Sequence, residues 1–148
     1  MKIKDFLYPT SVVIDLAAAD KARVLGELAR RAAQALGLSA DAVEEAVEKR
    51  DELGSTGIGG GVAIPHARLR EIKYTYGMLA RLKNPIDFEA IDGEPVDIVF
   101  LLLLPASSQL DQLNALAEVA RKLRDENVMR KLRAAKTAPE LYEVISRC

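Results

Sequence analysis

The sequence predicts an α/β fold (α+β in some schemes): a three-layer α/β/α sandwich with a small mixed sheet. Three observations lead there. Ile98 to Leu104 is an unbroken apolar run of seven residues, too short for the roughly twenty of a membrane-spanning helix and suited to a central strand covered on both faces. Tyr74, Tyr76, Met78, Ala80 and Leu82 recur at period two, the alternation of a strand with one buried face. Apolar residues at three- and four-residue spacings recur both before and after these segments, so helices are available to cover each side of the sheet.

In chain order, the β-branched run Val12-Val13-Ile14 predicts a first strand. Asp20 then caps a helix with Val24, Leu25, Leu28, Ala32 and Leu36 on one side, and Gly37 ends it. Ser39 begins a second helix with a narrow stripe of Val43, Ala46 and Val47, ending near Leu53-Gly54. The period-two strand stops before Asn84-Pro85, and Asp92-Gly93 marks a turn into the apolar strand from Pro95 to Leu104. Leu110, Leu113, Leu116, Ala117, Ala120 and Leu123 give a helix to about Asp125, and Val128 to Ala135 gives a short one. Thr137 with Glu140 forms a capping signal for the last helix, whose apolar side is Leu141, Val144 and Ile145.

No repeat or low-complexity linker divides the 148 residues, so one domain over 1–148 is expected, large enough to fold without a disulfide or metal. The only cysteine, Cys148, builds neither an intrachain disulfide nor a multi-cysteine metal site. With Asp5 and Pro9 interrupting any apolar leader, a reducing, cytoplasmic setting without membrane insertion is expected. Twenty-one basic against twenty-two acidic side chains leave a net charge of −1, which excludes bulk attraction to nucleic acid. The charge is nonetheless segregated: residues 121–136 carry seven cations and two acids, and residues 39–52 six acids and two cations. Such runs are usually solvated helix faces; the basic one is otherwise a docking surface for a target protein.

The chemistry concentrates between Gly54 and Leu69. Five of the nine glycines fall in Gly54–Gly61, a segment costly to order and therefore suited to close backbone approach or a special turn. Pro65 stiffens the backbone before His66, the only histidine. A neutral imidazole offers one nitrogen lone pair to phosphorus while an acceptor holds the other ring N–H, and glycine backbone N–H groups nearby are candidate donors to phosphoryl oxygens. The same glycines also fit a purely structural turn. Other histidine chemistry fits less well. Ser55 and Ser108 lack a nucleophile-elbow pattern, one histidine leaves a zinc site to carboxylates, and the glycines are not followed by Gly-Lys-Ser/Thr.

Arg50-Asp51-Glu52-Leu53-Gly54-Ser55-Thr56-Gly57-Ile58-Gly59 through Ala63-Ile64-Pro65-His66 resembles the active-site segment of enzyme IIA domains of the fructose/mannitol type in the bacterial phosphoenolpyruvate-dependent phosphotransferase system, and is most like their stand-alone nitrogen-regulatory branch. The resemblance continues through Asn84-Pro85-Ile86, Ala90-Ile91-Asp92, Pro95-Val96-Asp97 and Leu103-Leu104-Pro105-Ala106, nearly the whole chain. It implies a phosphorelay acceptor in which His66 takes a phosphoryl group on Nε2 from a histidine-containing phosphocarrier protein, without a cofactor. Arg50 is then expected beside the phosphoryl oxygens. Backbone N–H groups of Gly57, Gly59 and their neighbours are expected to join it, with Thr56 and Ser55 either donating hydroxyl bonds there or making local turn bonds.

One position departs from the family pattern. A second histidine usually stands near the start of the helix after the central strand, and the matching residue here is Gln112. An amide donates a hydrogen bond but does not titrate, so acceptance at His66 should survive while the rate or stability of the phospho-form changes. Gln112 is expected to border the His66 pocket. The resemblance implies a regulatory, nitrogen-related relay component acting on a target protein; the alternatives are a sugar-specific subunit that passes phosphate to a separate IIB component, and a non-catalytic binding protein.

Overall fold

The computed structural model describes residues 1–147; Cys148 lies outside them. After a single 3-10 turn (Ile3–Asp5), strand β1 (Leu7–Leu16) leads to helices α1 (Lys21–Leu36) and α2 (Ala40–Glu52). Three short strands follow, β2 (Gly57–Gly59), β3 (Val62–Ala63) and β4 (His66–Leu69), and then the long β5 (Tyr76–Ile86) and β6 (Val96–Pro105). The chain closes with α3 (Gln109–Arg124), α4 (Glu126–Ala134) and α5 (Ala138–Ser146). The sheet is mixed, in the order β1-β5-β6-β3-β2, with β4 also pairing β6. β6 runs antiparallel to β5 and parallel to β3 and β4.

The caps read from sequence stop and start the helices. Asp20 accepts from the Arg23 N–H at 2.9 Å, and Gly37 takes the left-handed conformation at φ 69°. Ser39 and Thr137 cap α2 and α5 as expected, and Ser108 and Asp125, not anticipated from the sequence, cap α3 and α4, all through side-chain oxygens, each such cap worth about 1 kcal/mol. Glu140 reaches back to the Lys136 N–H at 3.1 Å.

β6 sorts the core into two layers. Val99, Leu101 and Leu103 pack with Val24, Leu28, Val43 and Val47 of α1 and α2, whereas Ile98, Phe100, Leu102 and Leu104 pack with Val119, Leu132, Leu141 and Ile145 of α3 to α5. This is the three-layer arrangement expected of a continuously apolar strand.

Three expectations need correction. β1 extends well before Val12; its Tyr8-Pro9-Thr10 start is exposed on an edge strand, where proline is tolerated and no apolar pattern is required. β5 is buried on both faces, with Leu79 as inaccessible as its neighbours, and Tyr74 lies outside it and is exposed. It also continues through Asn84-Pro85 to Ile86, because a register shift between Arg81 and Ile86 frees Pro85 from donating a ladder bond.

Candidate active site

Residues 62–69 lie along β6 in one constant register: Val62 opposite Ile98, Ala63 opposite Val99, His66 opposite Leu102 and Leu69 opposite Pro105. The ladder is interrupted only at Ile64-Pro65. Pro65 has no N–H to give, but its carbonyl accepts from Leu102 N–H at 2.9 Å, and the Ile64 N–H turns to the Thr56 carbonyl at 2.9 Å. His66 therefore starts β4 on backbone fixed from both sides.

The imidazole is oriented by this same backbone. His66 Nδ1 lies 2.9 Å from the Ile64 carbonyl oxygen. A carbonyl only accepts, so Nδ1 carries the proton and Nε2 keeps its lone pair. Burial pushes the ring's pKa below its ordinary value and the Arg50 charge acts in the same direction, against the opposing Ile64 hydrogen bond. At neutral pH His66 is an uncharged base with a free Nε2.

It faces a cleft of about 480 Å³ between the C-terminal end of α2 and the first turns of α3, lined by Arg50, Leu53, His66, Arg68 and Gln112 among others. Arg50 donates from Nη1 to the Gly54 carbonyl at 3.0 Å, which caps the end of α2, and no carboxylate pairs with it among the described residues. Gln112 borders the cleft from α3. Arg68 is a lining residue that the sequence reading missed. The signal was its spacing: two residues after His66 on a strand it shares the outward side, and the alternation of β4 confirms this, with Ala67 and Leu69 buried between and beyond. Leu53, Leu110 and Leu113 stand 85%, 67% and 66% exposed on the two helices that flank the cleft. Leu110 and Leu113 thus leave the apolar stripe assigned to α3; its buried side is Ala115, Val119, Lys122 and Leu123.

The glycine segment is placed differently from the expectation. Thr56, Gly57 and Gly59 are not among the residues lining the cleft. Gly57–Gly61 instead forms the tight β2–β3 hairpin. Two of its N–H groups are already engaged: Gly57 N–H donates to Ser55 Oγ at 3.1 Å, and Gly60 N–H to Asp92 Oδ2 at 3.0 Å. Gly61, at φ 79°, is forced by contact as well as by conformation, since a Cβ there would sit 2.5 Å from Arg133 Nη2. Arg133 forks onto Asp97 at 2.9 and 3.0 Å and also holds the Gly60 carbonyl, so one cation of the 121–136 run belongs to the fold. Ser55 Oγ donates to the Phe88 carbonyl at 2.7 Å. Thr56 is buried, its hydroxyl unpartnered, and acts on the site through the carbonyl that holds Ile64.

No group of three or more His, Cys, Asp or Glu side chains among the described residues is placed to hold a metal ion, and no described helix is long and apolar enough to cross a membrane.

The cleft thus brings together an oriented, uncharged histidine and an arginine with no carboxylate partner among the described residues, an arrangement able to present a nitrogen lone pair beside a fixed positive charge. Residues 5–148 match the family described as phosphoenolpyruvate-dependent sugar phosphotransferase system, EIIA 2, and the chain belongs to that family of phosphotransfer domains. It is 44% identical over 146 residues to a nitrogen regulatory protein of Bradyrhizobium diazoefficiens, covering 99% of this chain and 95% of the relative. It is 43% identical over 127 residues to the nitrogen regulatory protein of Escherichia coli, covering 85% and 78%. The crystal structure of nitrogen regulatory protein IIA-Ntr from Neisseria meningitidis superposes with a TM-score of 0.91 at 32% identity, covering 97% of this chain and 98% of that one.

Proposed function

We propose that this protein, acting as one domain over 1–148, accepts a phosphoryl group on His66 Nε2 from a histidine-containing phosphocarrier and serves as a regulatory component of a nitrogen-related phosphorelay. The observation that carries the reading is the Nδ1 contact to the Ile64 carbonyl, which leaves Nε2 as the only ring nitrogen with a lone pair. The Nε2 lone pair forms the new N–P bond as the carrier's P–N bond breaks, and the carrier's imidazole departs with that electron pair. His66 keeps its Nδ1 proton throughout.

Arg50 supplies the charge that the phosphoryl oxygens need, and Arg68 and Gln112 line the same cleft. The Gly57 and Gly59 N–H groups are left out of this arrangement because the hairpin occupies that backbone. The exposed leucines beside the cleft suit an apolar rim around a protein donor. The names of the relatives from three genera support a regulatory, nitrogen-related role. The sugar-system description of the family supports a second reading, onward transfer to a IIB component.

The test is incubation with a phosphorylated carrier protein, followed by addition of a IIB domain. Acid-labile phosphate on the wild-type chain, absent from His66→Ala, with none passed to IIB, is the expected result. Passage to IIB would favour the sugar-specific reading, and labelling of His66→Ala would overturn the site.

A further inference from the structure

The basic segment holds a second feature that phosphotransfer does not use. Lys122, on the buried side of α3, is only 7% exposed, and no hydrogen bond or ion pair engages its ammonium among the described residues. A cavity of about 500 Å³ opens against it between the C-terminal turns of α3, the start of α4 and the end of α5; Arg121, Lys131 and Arg147 also line it.

Of the acids nearest Lys122, two are held in ion pairs and the third caps a helix. Glu118, one turn back, pairs with Arg121 at 2.6 Å, and Glu143 pairs with Arg147 at 2.7 Å. Asp125 caps α4, its Oδ1 accepting the N–H groups of Asn127 and Val128 at 2.9 and 3.2 Å. A lysine normally keeps its head in open water while its stem covers apolar surface. Here the head meets a cavity lined by four cations, Arg121, Lys122, Lys131 and Arg147, against two carboxylates, Asp125 and Glu143, an excess of positive charge.

We infer that this cavity is a binding site for a small phosphate-bearing anion, with Lys122 and Lys131 as the two free cations and Arg121 and Arg147 at its mouth. Lys122 lies ten residues after Gln112 on α3, about 15 Å along the helix. The site is therefore separate from the His66 cleft, and the two can be tested independently.

The experiment follows backbone amide and lysine side-chain NMR signals of the intact protein during titration at constant ionic strength with inorganic phosphate and, separately, with ribose 5-phosphate. Saturable shifts at residues 121–131 and 143–147 are expected at millimolar concentrations or below, unchanged in His66→Ala. Lys122→Met keeps the apolar stem and should weaken binding about tenfold or more; Lys131→Gln, on an exposed position, should weaken it less. Equal affinity for the two probes assigns free phosphate, and tighter binding of the ester assigns a phosphomonoester. The inference is overturned by shifts that do not saturate up to about 20 mM, by shifts confined to the His66 cleft, or by affinity unchanged in a folded Lys122→Met. Should that variant not fold, unchanged affinity in Lys131→Gln overturns it equally.

Discussion

The Gly57–Gly61 hairpin and the Ile64–His66 turn into β4 are consecutive in the chain and both depend on unusual backbone, yet they spend it on different ends. In the hairpin, left-handed residues and engaged N–H groups let the chain fold tightly against Asp92, Asp97 and Arg133. At Pro65-His66 the ladder breaks for one step, and the carbonyl of Ile64, whose N–H bonds Thr56 rather than β6, orients the imidazole. Glycine in the hairpin secures shape, and the Ile64 carbonyl secures the direction of a lone pair. The glycine-rich loop thus stands beside the histidine in the chain without lining the cleft that the histidine faces.

If that division is right, substitutions in the two regions should separate stability from chemistry. The largest effect is expected for His66→Ala, which should abolish phosphoryl acceptance while leaving a folded protein, measured by intact mass after incubation with a phosphorylated carrier. Gly61→Ala should do the reverse. Its left-handed φ and the 2.5 Å approach to Arg133 predict a loss of about 2 kcal/mol or more in chemical denaturation, with His66 still phosphorylated at temperatures where the protein is folded.

Arg50→Ala should lower the rate of phosphoryl acceptance about 100-fold in rapid-quench measurements, since a charged donor to the transferring group is removed. Arg50→Lys should recover only part of the rate because the fork is lost. A smaller effect is expected with pH. The folded-state pKa of His66 lies below its unfolded value of about 6.5, so the unfolded chain binds the proton first. The stabilisation is complete above that value and lost as pH falls towards the folded pKa. Denaturation midpoints of wild type should therefore decline more steeply below pH 6.5 than those of His66→Gln. Gln112→His should change the acceptance rate by less than about tenfold at pH 7.5 but add a titration below neutrality to its pH profile.

Much of this was readable beforehand because it depends on local rules. Caps at Asp20, Ser39 and Thr137 and the apolar run of β6 depend on short-range chemistry, and they located the helices and the central strand. The proline-stiffened histidine was equally legible. What escaped was set by partners distant in sequence. Gly57 and Gly61 are required by Ala90 and Arg133, the polar start of β1 by its edge position, and the exposure of Leu110 and Leu113 by how little of α3 covers the sheet. Arg68 needed only the knowledge that His66 begins a strand, which a four-residue element beside glycines does not announce.

The most direct test of the central claim is the bonding of the phosphoryl group to the ring. In protein labelled with 15N in its single histidine, the unphosphorylated ring should show a protonated Nδ1 and a bare Nε2 at pH 7.5, and phosphorylation by the carrier should place the 15N–31P coupling on Nε2. A phosphoryl group on Nδ1, or a ring whose proton resides on Nε2 before transfer, would contradict the account.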